Sequence, residues 1–278
     1  METPIVFLVY KRPSLTERVL DAIRQARPKK LFVVADGPKN DGEKESTSST
    51  ITLIKEGINW DCSVKWNIAK SNMGLANRVS SGITWVMQQC SEAIILEDDC
   101  LPDPSFFPFC TEMLSKYHSD ERIMSITGDN FQQDIEKRDA SYYFSIFQHC
   151  WGWATWKRAW EHYDHDLRCW DETMEFINDQ DIVNFKEYWM EIKLLLDHGR
   201  INSWAYRWIF SIWAKSGLTI TPNKNLVQNI GYGDDGTHTK GPDIAPKKTF
   251  LKFPLKHPSD ITSFTEADRY VAESWFKI

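Results

Sequence analysis

The chain has 278 residues, 42% hydrophobic and 26% charged, enough apolar material for a sizeable core in one large domain or two small ones. A formal net charge of −6 leaves no basic surplus to neutralise phosphates, which excludes a general nucleic-acid binder. The six cysteines (Cys62, Cys90, Cys100, Cys110, Cys150, Cys169) show neither CxxC pairing nor zinc-type spacing, as expected of buried thiols in a reducing compartment.

Residues 5–10 form a short apolar run with β-branched and aromatic side chains, a buried strand. Ser14 and Glu17 have capping-box spacing, and Leu15, Val19, Ile23 and Ala26 mark one helical face that ends before Pro28. Residues 31–35 give a second strand, closed by the turn signal Asp36-Gly37-Pro38. A second helix carrying Ile51 and Ile54 stops near Gly57, and 63–68 alternates as a third strand. Leu75, Val79, Ile83 and Val86 recur at helical spacing, followed by a strand at 93–96, a helix at 106–117 and a strand at 123–127. Strands alternating with helices predict an α/β fold with a mainly parallel sheet covered on both faces.

The stretch 93–104, AIILEDDCLPDP, organises the rest. Its four apolar residues run straight into Glu97, Asp98 and Asp99. Three carboxylates brought to one place repel one another and lose hydration, so they call for a cation, and hard oxygen ligands favour Mg²⁺ or Mn²⁺. Asp103-Pro104 is expected to cap and open the following helix. The acids then lie in a strand-to-helix connection at the carboxyl edge of the sheet, where open α/β sheets bind ligands. The glycines at 37 and 42 do not make a Walker loop, because no Gly-Lys-Ser/Thr follows.

From Phe131 onward aromatic and acidic residues dominate, with most of the 13 tryptophans in the second half of the chain. Helices are expected at about 183–198 and 204–215, the second capped by Asn202 or Ser203, and a strand at 218–221. The Gly/Pro-rich tail from Gly231 is expected to be a mobile loop. Aromatics at this density mostly fill a core. Yet Trp151-Gly152-Trp153, beside His149 and downstream of Asp129-Asn130, also suits a sugar site, where flat rings stack on pyranose faces and Asp and Asn take hydroxyls. The organisation expected is a nucleotide-sugar-binding half (1–130), an acceptor-binding half of the same domain (131–230) and a C-terminal loop and tail (231–278).

On these residues the chain resembles nucleotide-sugar-dependent glycosyltransferases of the GT-A fold, in particular the N-acetylglucosaminyltransferase I-like group and related bacterial enzymes. Residues 72–109 carry the most specific part, where a helix feeds a strand ending in Glu-Asp-Asp and a Pro-x-x-Phe-Phe helix follows. Tyr10-Lys11-Arg12-Pro13, Ala35-Asp36-Gly37 and Trp151-Gly152-Trp153 add to it. The resemblance implies a metal-dependent transferase that moves a sugar from a nucleotide diphosphate, with UDP expected, to a glycan or glycolipid, with inversion. It implies Asp99 as ligand of Mn²⁺ or Mg²⁺, with His238 completing the metal shell. It implies Asp98, Glu97, Arg12, Asp36, Asn72, Gly74 and Arg78 around the donor. Asp129, Asn130, His149, Trp151, Gly152 and Trp153 are expected around the acceptor. With no leader pattern and no apolar run long enough to span a bilayer, a cytoplasmic protein is expected, with peripheral contact at the inner face of the membrane left open.

One element of the pattern is missing. An inverting transferase needs a base that takes the proton of the acceptor hydroxyl. Relatives place an aspartate just after a tryptophan, opening a helix of the acceptor half; here that segment is Asn202-Ser203-Trp204-Ala205-Tyr206, and position 205 is alanine. Either the base was removed by substitution, or it comes from elsewhere, with Asp164 and Asp166 as candidates, or the protein binds sugars with little turnover. A sugar-nucleotide uridylyltransferase is the remaining rival, although it would want a glycine-rich loop after the first strand, where Lys11-Arg12-Pro13-Ser14 has none.

Overall fold

Five consecutive apolar residues, IVFLV, form β1 (Ile5–Val9), and each is at most 5% exposed. A strand without polar alternation needs cover on both faces, and it has it. Ile5, Phe7 and Val9 pack into one core with Val19 and Ile23, whereas Val6 and Leu8 pack into a second core with Val79 and Ile83. The structure is a computed structural model that describes residues 1–132, 139–232 and 246–278.

In chain order β1 is followed by α1 (Pro13–Ala26), β2 (Lys30–Ala35), α2 (Lys44–Gly57), β3 (Ser63–Ile68), α3 (Leu75–Met87), β4 (Glu92–Glu97), β5 (Cys100–Pro102), α4 (Phe106–Lys116) and β6 (Ile123–Thr127). Then come β7 (Tyr142–Ser145), β8 (Trp153–Trp156), α5 (Lys157–Trp160), α6 (Trp170–Asn178), α7 (Phe185–Asp197), α8 (Trp204–Trp213), β9 (Leu218–Pro222), β10 (Val227–Asn229) and α9 (Thr265–Val271). An eight-stranded sheet in the order β3-β2-β1-β4-β8-β6-β9-β7 runs through both halves of the chain. Six strands, β1 among them, run in one direction; β8 and β7 run against them. This is a mixed, mainly parallel α/β sheet flanked by helices, the class expected.

The differences from expectation are local or long-range. The helix after the acids opens at Phe106 rather than Pro104, because Cys100–Pro102 pairs antiparallel with β10, and the Asp103 carboxylate accepts from the Ser105 N–H at 2.9 Å. The aromatic stretch 153–156 is a strand wedged between β4 and β6, which its lack of polar alternation at Trp153, Ala154 and Trp156 concealed. Residues 246–278, expected to belong to a mobile tail, pack onto the body: Leu251, Ala267 and Val271 are buried, and the Ser145 hydroxyl bonds buried Asp268 at 2.5 Å.

Candidate active site

The carboxyl edge of the sheet gathers the site. Leu8 pairs with Glu97 in register, so Tyr10 and Arg12 leave β1 beside the acids that leave β4. The Tyr10 N–H donates to Asp98 Oδ2 at 3.2 Å. The Arg12 guanidinium bonds Asp98 Oδ1 directly and reaches Asp99 Oδ2 at 3.0 Å. The positive charge that the acid triplet calls for thus comes, within the protein, from Arg12. Its guanidinium spans two carboxylates rather than facing a nucleoside alone. Burial would lower the Arg12 pKa, but Asp98, Asp99 and Glu97 more than reverse that and keep it charged. Glu97 is pushed up by burial first, then by Asp99 and Asp98. Asp98 is also pushed up by burial, even against Arg12. An anionic cluster this poorly hydrated is primed to take up a cation or a proton.

Next to it, Asp36 ends β2. Its carboxylate accepts from the Gly37 and Met73 N–H groups and the Asn72 side-chain amide, each at 2.9 Å. A Cβ on Gly37 would fall 2.5 Å from the Ser71 backbone, so only glycine lets these two loops touch. The carboxylate is raised by burial and opposed by those backbone donors.

A cavity of about 580 Å³ opens in front of β4 and β6. It is lined by the charged side chains of Arg12, Glu97, Asp99 and Asp129 and by His149 and Trp151. Strand register explains the meeting. Ile95 and Thr127 both pair with Trp153, so Glu97 and Asp129, each two residues further, leave the sheet at the same level. Because β8 runs the other way, His149, Cys150 and Trp151 arrive at that same edge. Asp129 is 1% exposed; Thr127 donates its hydroxyl to Oδ1, while Oδ2 completes no well-formed hydrogen bond within the protein. Burial pushes this carboxyl up to about 7. Burial likewise pushes His149 down to about 3, leaving a neutral imidazole edge-on to Phe131 with ring centroids 4.6 Å apart.

The apolar wall was not expected from the sequence in this form. Trp275, from the last four residues, stacks on Phe131 at 3.7 Å and meets Trp151 edge-on at 5.5 Å; Tyr232 adds a further edge at 6.1 Å. The signal available was an aromatic pair, Trp275-Phe276, in an otherwise polar terminus.

Several expected residues lie outside the cavity. Trp153 is fully buried in β8, stacked on Trp204 at 5.2 Å, and Gly152 packs beneath Val227. Asn130 ties Pro222 and Asn225 together. Arg78 is buried and donates to the carbonyls of Ala35 and Asn67, holding the ends of β2 and β3. Gly74 precedes α3 in a left-handed conformation. Asp164 and Asp166 do not line the cavity either. The Asp164 carboxylate accepts from the N–H groups of Asp166 at 3.1 Å and Cys169 at 2.9 Å, which makes it the tie of its own loop. Ala205, by contrast, does line the cavity, with Asn202, Ser203 and Tyr206. His238 lies outside the described residues.

The cavity carboxylates Glu97, Asp99 and Asp129 do not converge on one point. Among the described residues no group of three or more His, Cys, Asp and Glu side chains is placed to hold an ion. Asp99 fits as a single hard ligand in the cavity lining. The chain also passes unusually close to it: a Cβ on Gly231 would lie 2.4 Å from Asp99 Oδ2, and the Ile230 N–H donates to the Asp99 carbonyl at 2.8 Å.

No family model matches the chain, and no curated protein sequence does. Among solved structures it is similar to a mannosyltransferase from Pyrobaculum calidifontis in complex with GDP-Man and Mn²⁺ (13% identity, 77% of this chain and 69% of that one, TM-score 0.46). It is also similar to a UDP-glucose pyrophosphorylase complexed with UDP-glucose (11% identity, 83% and 94%, TM-score 0.42). A third is a 4-diphosphocytidyl-2C-methyl-D-erythritol synthase from Anaerococcus prevotii (8% identity, 69% and 84%, TM-score 0.36). Overlap of this degree argues for no activity, and the site has to speak through its own geometry.

Proposed function

We propose that the protein is a metal-dependent glycosyltransferase that uses a nucleotide diphosphate sugar, with UDP as the expected nucleotide, and inverts the anomeric centre. The observation that carries this is one cavity with two unlike walls. Asp99, Glu97 and Arg12 make its charged part and Phe131, Trp151 and Trp275 its aromatic part, while Asp36 and the Asn72 amide bonded to it follow β2 and β3 along the same sheet edge. The charged part suits a charged donor and the aromatic part suits the flat face of a glycan or the apolar part of a glycolipid. Asp99 would hold Mn²⁺ or Mg²⁺ as its single protein carboxylate, leaving the other positions to phosphate and water. When bound, that ion neutralises charge on the departing diphosphate. Arg12 keeps the neighbouring carboxylates apart and in place and offers a fixed positive charge to the diphosphate. Glu97 would take the ribose or sugar hydroxyls of the donor, while Asp98, buried behind the cavity, holds Arg12 and the Tyr10 N–H in place.

Ala205 in the cavity lining keeps a second reading alive, a nucleotide-sugar-binding protein with little turnover. One experiment addresses both. Melting is followed with UDP-glucose, UDP-galactose, UDP-N-acetylglucosamine and GDP-mannose, with Mn²⁺ and with chelator, alongside release of nucleoside diphosphate. A ligand at a hundred times its Kd adds about 2.7 kcal/mol, a shift of roughly 5 °C for a chain of this size. The expected result is a Mn²⁺-dependent shift for at least one donor that Asp99→Asn abolishes. A shift without nucleotide release would leave the binding protein standing. Diphosphate release from UTP and glucose-1-phosphate would favour the uridylyltransferase.

A further inference from the structure

The cavity contains a carboxylate that neither the donor nor the fold accounts for. Asp129 is almost wholly buried and lines the cavity; Oδ1 accepts from the Thr127 hydroxyl, the Trp151 backbone N–H lies against the carboxylate, and Oδ2 completes no well-formed hydrogen bond within the protein. A buried polar oxygen left unpaired costs stability, and such atoms are kept where they serve something other than the fold. Its place is equally specific. β4 and β6 flank β8, so two strand spacings, about 10 Å, separate their carboxyl ends, which is room for one pyranose ring between Asp99 and Asp129.

We infer that Asp129 is the general base that takes the proton of the attacking hydroxyl, filling the role that Ala205 leaves vacant. The inference rests on the glycosyltransferase reading above. As the acceptor oxygen forms its bond to the anomeric carbon, Asp129 Oδ2 receives the hydroxyl proton. The bond from that carbon to the diphosphate oxygen breaks, and its electron pair leaves with the nucleoside diphosphate. The other cavity groups are less suited. His149 is a neutral imidazole with little proton affinity, Asp99 is paired with Arg12, and Cys150 is a thiol whose burial pushes its ionisation well up. The groups around Asp129 are neutral at working pH: the Thr127 hydroxyl, the Trp151 backbone, and the Cys100 and Cys150 thiols. No cation is among them to hold its proton off, and burial keeps its affinity for one high.

Because the acceptor is unidentified, the test uses water. The probe is the nucleotide sugar, among the four named above, that gives the largest Mn²⁺-dependent melting shift, and nucleoside diphosphate release is measured with no acceptor added. Asp129→Asn should lower release at saturating donor at least 100-fold while the donor-dependent shift stays within a degree of wild type. Adding Ala205→Asp to that variant should recover at least tenfold, since both positions face one cavity. Should Asp129→Asn not fold, Asp129→Ser is read in the same way. Release within threefold of wild type in the variant would overturn the inference and leave the transferase reading intact. A wild type that binds donor but releases nothing would overturn it as well. Absence of any donor shift would instead sink the transferase reading itself.

Discussion

The two ends of the sheet are held together by different physics. From β3 to β4 an alternating edge strand lies beside three short apolar runs, and every neighbouring pair is parallel and in simple register. From β8 to β7 parallel and antiparallel pairs are mixed, and what packs is a web of aromatic rings: Trp153 on Trp204, Trp160 on Tyr163, Trp213 on Phe176. The first end buys nothing with its side chains except cover, so its chemistry sits at strand tips. The second end uses large rings both as core and as cavity wall, which ties the shape of the site to global packing. The difference teaches where each half is fragile: the first at its charges, the second at its rings.

The charged end should break hardest at Arg12. Its guanidinium is the partner of Asp98 and Asp99, whose side chains are 3% and 11% exposed. Removing one member of a buried ion pair strands the others without compensation, a loss of about 3–5 kcal/mol. Arg12→Met should therefore lower the urea midpoint by that free energy with an unchanged slope. A loss below about 1 kcal/mol would mean that solvent already screens these acids.

The strip between the two ends can be probed by pH. Asp129 has a folded-state pKa raised to about 7, against an ordinary value near 4. Between those limits the folded protein binds more protons than the unfolded chain, so this group makes stability fall as pH rises through that window. Above about pH 7 both states are ionised and the whole cost is present, up to roughly 4 kcal/mol as an upper bound. Asp129→Asn should consequently be more stable than wild type at pH 8, and the difference should fade toward pH 4. Unfolding both proteins in urea across that range checks it. A variant that is less stable at pH 8 would show that the carboxylate serves the fold.

How much of this was legible follows the same division. The acid triplet, the βα order of the first half and the gap at Ala205 stand in plain sequence, because each is a local pattern of at most a dozen residues. That Arg12 would span Asp98 and Asp99 was not legible, since the contact joins residues 86 positions apart through strand register. Trp153 suited a sugar platform and is core, because the short run Trp-Ala-Thr-Trp does not say which sheet it enters. Asp164, a candidate base by sequence, is committed to the N–H groups of its own loop. Trp275 belongs to the cavity only because the chain's last turn returns across the sheet, a contact no periodicity announces.

The aromatic end gives the smallest effect and the sharpest comparison. Trp275 is half-buried, so Trp275→Ala loses only part of a full indole's burial, about 2 kcal/mol, together with its stack on Phe131. If the wall receives the acceptor, its loss should appear mainly as a raised KM for a glycan or glycolipid acceptor, since a stacking platform that binds ground state and transition state alike moves KM more than kcat. A fall in kcat with an unmoved acceptor KM would place Trp275 with the core, and the aromatic end would then be packing throughout.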